Sequence, residues 1–156
     1  MANTQNKLPS VQNWLPSVAR YLLGAAFFVF GLNGFLHFIP QPAPPAPAMS
    51  FIGALLASGY MFPLIKGTEV IMGALLLANR FVPLALTILA PIMVNIIAFH
   101  LFLEPEALAM PLVLLVAQLY LAYSHRDAFA PMLHAKNAPH VTPPSSDRGR
   151  VVATAS

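Results

Sequence analysis

The chain has 156 residues, of which 58% are hydrophobic and only 8% charged, and its mean hydropathy is +0.70. Soluble domains carry about 25% charged residues, so this is the composition of an integral membrane protein of one domain. The net charge of +3 does not point to a nucleic-acid partner, because the basic residues are scattered at the ends of apolar segments, and the lack of cysteine excludes thiol–disulfide chemistry, thiolate metal sites and cysteine-held iron–sulfur clusters.

Residues 1–15 are polar and form an expected cytoplasmic N-terminal segment, closing on Trp14, which suits a headgroup region, and leading to Pro16, which suits a first helical turn. A first span is predicted over 18–39, since about 20 apolar residues cross the bilayer core. The proline-rich run from Pro40 to Pro47 reads as a stiff, non-helical linker. Residues 49–60 are apolar but too short to span; Phe51, Ile52, Leu55 and Leu56 share one helical face, as expected of an interfacial or re-entrant helix. Further spans are predicted over 63–78, 81–103 and 107–123. Pro91 lies inside the third of the four, and Glu104-Pro105-Glu106 forms an acidic turn after it. The fold class expected for 16–126 is therefore an all-α, four-helix transmembrane bundle with one additional short interfacial helix after span one. Residues 127–156 turn Pro/Ser-rich and are expected to be a disordered cytoplasmic tail.

Lys7 precedes span one and Arg20 lies at its start, Arg80 separates spans two and three, and Arg126, Lys136, Arg148 and Arg150 follow span four. The positive-inside rule then puts both termini in the cytoplasm, with the proline-rich loop and Glu104/Glu106 outside. Cleavage of span one as a signal peptide at Ala46-Pro47-Ala48 is the alternative, and it leaves three spans.

Glu69 is the most informative residue. A charge at bilayer depth costs about 2.5–3.5 kcal/mol on insertion scales, so it requires a partner, a wet cavity or a function. Lys66 precedes it by three residues, on the same helical face, and is the natural partner. At 1.5 Å per residue, Glu69, Asn33 and Asn95 lie about 12, 9 and 13 Å below the outer ends of their spans, with His37, His100 and Lys66 nearer the boundary. The candidate polar site is thus Glu69, Lys66, Asn33, His37, Asn95 and His100, confined to the outer half, while the inner half holds mainly Thr87 and Gln118. Pro91 should bend the third span and open a pocket beside Asn95. Each feature also has a structural interpretation: an ion pair, interhelical hydrogen bonds, and close packing at Gly24, Gly31, Gly34, Gly73 and Ala74. No metal-ligand cluster and no nucleophile–base motif is present. His37 and His100, on different spans at one level, admit a b-type haem as a minor alternative.

The stretches ARYLLGAAFFVFGLNGFLHFIP and GALLASGYMFPLIKGTEVIMGALLLANRFVPLALTILAPIMVNIIAFHLFL resemble the DoxX family of small four-helix membrane proteins, over about residues 19 to 129. The motif residues are Arg20 opening span one, Phe30-Gly31 near its outer end, and Glu69 four before Gly73. Where many relatives have a lysine two after that first glycine, this chain has Asn33, and Lys66 stands as its replacement. The resemblance implies a multi-pass protein of the bacterial plasma membrane, linked to membrane redox or oxidative-stress complexes.

Two functional expectations follow. The first is a quinone-interacting subunit of an oxidoreductase complex, working with a redox partner subunit rather than as an enzyme on its own. Asn33, His37, Asn95 and Lys66 would donate to the quinone carbonyls, and Glu69 would relay a proton. The second is a non-enzymatic membrane protein: an assembly partner, a homo-oligomer, or a pathway for protons or small solutes. Few polar residues continue through the inner half, which disfavours a pathway.

Overall fold

The structure is a computed structural model and describes residues 14–133. These are helical, with no strand among the described residues. Helix α1 runs from Leu15 to Leu36 and starts at the turn containing Pro16, whose fixed φ and missing N–H suit that position. It stops three residues short of the expected end. His37 turns left-handed (φ 50°) as the C-cap, and the Asn33 side chain reaches past it to clasp the Ile39 backbone.

Helix α2, Ala46–Ala57, begins earlier than expected. The proline run is non-helical only as far as Pro45. Pro47 lies in the first turn of α2, where an absent N–H removes no intrahelical bond. Helix α3, Met61–Leu77, is not a continuation of α2: the two axes differ by 93° across Ser58-Gly59-Tyr60. Gly59 supplies the required positive φ of 77° there, and the Ser58 hydroxyl accepts from the Met61 N–H at 3.0 Å, satisfying one of the exposed donors at the start of α3.

Helix α4, Val82–Leu103, is continuous through Pro91, and α5, Ala109–Ser124, follows a 3-10 turn at Pro105–Ala107. Within the stretch expected to be the tail, Arg126–Phe129 form a short helix, α6, and Ala130–Leu133 a 3-10 turn, with Phe129 packed against the core. The expected segments 1–13 and 134–156 lie outside the described residues.

Four helices touch in a ring: α1 on α3, α3 on α4, α4 on α5, and α5 back on α1. The most intimate pair is α1 with α3, which run antiparallel, and four glycines set their spacing. A Cβ on Gly24 would meet the Leu76 side chain at 3.0 Å; one on Gly31, Glu69 Cβ at 3.0 Å; one on Gly34, the Lys66 stem at 2.7 Å; and one on Gly73, the Phe28 backbone nitrogen at 2.5 Å. Backbones this close gain dispersion contacts that no larger residue permits, which is how helices associate where lipid removes the hydrophobic drive. The fully buried apolar side chains Leu23, Leu76, Leu89, Met93 and Leu121 gather toward the Arg20 end of the bundle. The α1–α3 seam toward the Leu36 end carries Asn33, Lys66 and Glu69 instead.

The outside of the bundle is apolar. Leu22, Ile71, Leu84, Val94, Phe102, Val116 and Leu119 are all exposed, on α1, α3, α4 and α5. Helices α1 and α4 are each long and apolar enough to cross a membrane, and α2 with α3 supplies a third crossing if that bent pair is one span. An apolar surface of this extent belongs against lipid, and the chain is a membrane protein.

Candidate functional site

The polar residues fall in several places. The first is a closed seam between α1 and α3. Lys66 and Glu69 pair across one helical turn, as their spacing requires, with Nζ 2.8 Å from Oε2. The Glu69 side chain is 3% exposed and that of Lys66 24%, so the carboxylate is sealed while the ammonium stem runs over Gly34 toward the surface. Gly31 lies directly against the Glu69 Cβ, which explains why that position of α1 tolerates no side chain. Phe30, the other motif residue there, is half-buried.

Two further polar residues on α1 are buried, and both hold backbone. The Asn33 Oδ1 accepts from the Ile39 N–H at 2.7 Å and its Nδ2 donates to the Ile39 carbonyl at 3.4 Å. It is a clasp on the exit of α1 rather than a bond between helices. Arg20, read from the sequence as a topology charge at a span end, is instead 7% exposed and donates to the carbonyls of Leu76 and Leu77, 2.5 and 3.3 Å away. Those carbonyls end α3; Leu76 O also accepts from the Asn79 N–H at 3.1 Å, and the buried guanidinium from α1 caps the same terminus. It also lies over the Tyr21 ring at 4.2 Å.

The second place is open. A groove of about 220 Å³ on the α2–α4 face is lined by Phe51, Asn95, Ala98, Phe99, Phe102 and Leu103. Phe51 of α2 meets Phe99 of α4 with ring centroids 5.8 Å apart, which fixes α2 against this end of α4. Asn95 is exposed on this wall. His100, five residues on, turns back along its own helix: Nδ1 donates to the Ile96 carbonyl at 2.8 Å, and Nε2 is 3.9 Å from Glu104. His37 is exposed at the cap of α1.

The six expected site residues therefore do not form one cluster. Glu69 and Lys66 make a closed pair with Asn33 on the neighbouring helix; Asn95 belongs to the open aromatic groove; His37 and His100 are turned to the loop and to their own helix. The groove beside Asn95 has aromatic walls and is formed where α2 packs on α4, not at Pro91. The α2 contribution to it, Phe51, carried no signal in sequence beyond its place on the apolar face of a short helix. A second open groove, between α4 and α5, is lined by Gln118 and Thr87 among apolar side chains. No family model, no curated protein and no solved structure matches the chain.

Proposed function

We propose that this protein is a DoxX-like, four-span protein of the plasma membrane, acting as the quinone-interacting membrane subunit of an oxidoreductase complex. In this reading α1, α3, α4 and α5 all cross. The 17 residues of α3 and 16 of α5 rise about 24–26 Å, enough for a locally thinned bilayer. Helix α2, near perpendicular to α3, then lies along the outer surface.

The observation that carries the quinone reading is the aromatic groove with Asn95 on its wall. A quinone head group is a flat, electron-poor ring with two carbonyl acceptors. It is recognised by stacking against aromatic rings and by donors such as a carboxamide NH₂, which Phe51, Phe99, Phe102 and Asn95 supply. The groove is open, so an isoprenoid tail can leave it into lipid without crossing the bundle. Glu69 takes no part as a proton relay in this account, because its carboxylate is sealed by Lys66 and α1. Electrons must come from a partner subunit, consistent with a chain that has no cysteine. Binding of a short-tailed benzoquinone to the purified protein tests this. Binding should weaken when Phe102→Ala opens the groove, and binding unaffected by that change would count against the site.

The buried Lys66–Glu69 pair favours a second reading, that the seam serves only assembly. In that case Glu69→Gln lowers thermal stability and the unaltered protein shows no saturable benzoquinone binding.

A further inference from the structure

The α4–α5 groove lies on a different face from Asn95 and has a different chemistry. It encloses about 340 Å³ and is lined by Leu86, Ala90 and Val94 of α4, Leu115 and Ala122 of α5, and Phe129 of α6. The two polar side chains along it are turned to backbone. The Thr87 hydroxyl donates to the Pro83 carbonyl at 2.9 Å, and Gln118, only 5% exposed, donates inward to the Leu86 carbonyl at 3.2 Å. The surface the groove offers is therefore apolar. From Leu86 to Val94 it extends about 12 Å along α4, close to the depth of one leaflet, at the Arg20 end of the bundle. Its volume is at the lower end for small-molecule pockets, which suits one acyl chain.

The groove ends at an arginine. Ala122 and Phe129 line its α5–α6 end, and Arg126 falls between them in the chain, about one helical turn from each. Phe129 packs on the core and so anchors α6 at this end. The Arg126 guanidinium lies over the Tyr123 ring, 5.1 Å from its centroid, which steadies it by cation–π attraction and leaves its N–H donors open. Arg126 is exposed and makes no ion pair or side-chain hydrogen bond among the described residues, neighbouring Asp127 included. A guanidinium fork matches phosphate oxygens, and basic pockets between membrane helices near the bilayer surface suit anionic head groups. An apolar groove of one chain's width that ends at an unpaired arginine thus complements an amphiphile with an acyl chain and a negative head.

We propose that this groove is a binding site for an anionic phospholipid, one acyl chain of which lies along Ala90, Val94 and Leu115 while its phosphate accepts from Arg126. The second chain stays in the surrounding bilayer. The proposal goes beyond the quinone reading and is independent of it, because it uses another face and none of the same residues.

The test is equilibrium binding of phosphatidylglycerol and of phosphatidylcholine with identical acyl chains, whose choline ammonium opposes the guanidinium, to the full chain in non-ionic micelles. Phosphatidylglycerol should bind roughly tenfold more tightly, the scale of one hydrogen bond to a charged group. Arg126→Gln should abolish that preference. Arg80→Gln removes the same charge from the exposed turn between α3 and α4, away from the groove lining, and should leave the preference in place. Ala90→Phe fills the groove from its exposed rim and should weaken phosphatidylglycerol binding about tenfold with every charge intact; Val94→Trp serves in its place if that variant does not fold. Equal affinity of the two lipids for the unaltered protein, equal losses in Arg126→Gln and Arg80→Gln, or phosphatidylglycerol binding unchanged by a filled groove overturns the proposal in favour of diffuse attraction to the basic residues.

Discussion

Gly73→Ala probes the α1–α3 seam most sharply. A Cβ there would stand 2.5 Å from the Phe28 nitrogen and 2.9 Å from both the Gly24 carbonyl oxygen and the Phe28 Cα. All three are backbone atoms of α1, so no side chain can swing aside. Ordinary contact begins at 3.4 Å, and α1 must therefore retreat by about 1 Å along its closest approach. Overpacking of this kind costs about 1–3 kcal/mol. Alanine also gains about 1 kcal/mol of helix propensity over glycine, which would mask part of that cost in a single measurement. Gly67→Ala removes the ambiguity. It lies on the same helix, nothing stands within 4 Å of its Cβ position, and it receives the same propensity gain. The difference between the two variants isolates the clash. Thermal unfolding in micelles, followed by far-ultraviolet circular dichroism, should place Gly73→Ala about 1–3 kcal/mol below Gly67→Ala, with Gly67→Ala at or above the unaltered protein. Equal stability of the two alanine variants would refute the account of the seam as backbone-limited packing.

The ion pair should respond asymmetrically. Lys66→Met strands the sealed Glu69 carboxylate and should cost about 3–5 kcal/mol, whereas Glu69→Gln leaves a lysine that is already a quarter exposed and can turn outward, costing about 1–3 kcal/mol. Unfolding of the two variants side by side checks the order. Arg20→Gln should destabilise by about 1.5–3 kcal/mol, with faster hydrogen exchange concentrated at the Leu76–Leu77 end of α3 if the guanidinium acts as its cap. Asn33→Leu should raise amide exchange at Ile39 while leaving the middle of α1 protected; uniform change along the helix would contradict the clasp. Because the chain has no native cysteine, single cysteines at Ala43 and Asn79 can be labelled directly in spheroplasts. A membrane-impermeant maleimide should reach position 43 and not position 79, and the reverse pattern would overturn the proposed topology.

Much of the fold was legible because apolar length and proline position act locally. Pro16 sits in a first helical turn as expected, whereas Pro47, expected in the non-helical linker, lies inside the first turn of α2; the spacing of Lys66 and Glu69 dictated their pairing. The glycines of α1 and Gly73 read as close-packing positions, and the antiparallel register shows what each one meets. Three features were not legible, and each depends on a contact distant in sequence. Arg20 looked like a charge at a span end, and only the arrival of the α3 terminus, 56 residues later, makes it a cap. Asn33 has the side chain of an interhelical bridge, yet the left-handed turn at His37 brings Ile39 back within its reach. The apparent outer-half cluster separated because equal depth does not mean equal azimuth: Asn95 and His100 are about 140° apart on one helix, and Asn95 faces the Phe51 side rather than Glu69.

The most direct test of the quinone assignment is the equilibrium affinity of a short-tailed benzoquinone for three purified proteins: the unaltered chain, Asn95→Leu and Glu69→Gln. The groove account predicts saturable binding to the first, roughly tenfold weaker binding to Asn95→Leu from the loss of one carboxamide donor, and unchanged affinity in Glu69→Gln. Binding that is absent from the unaltered chain, or lost in Glu69→Gln and retained in Asn95→Leu, would contradict it.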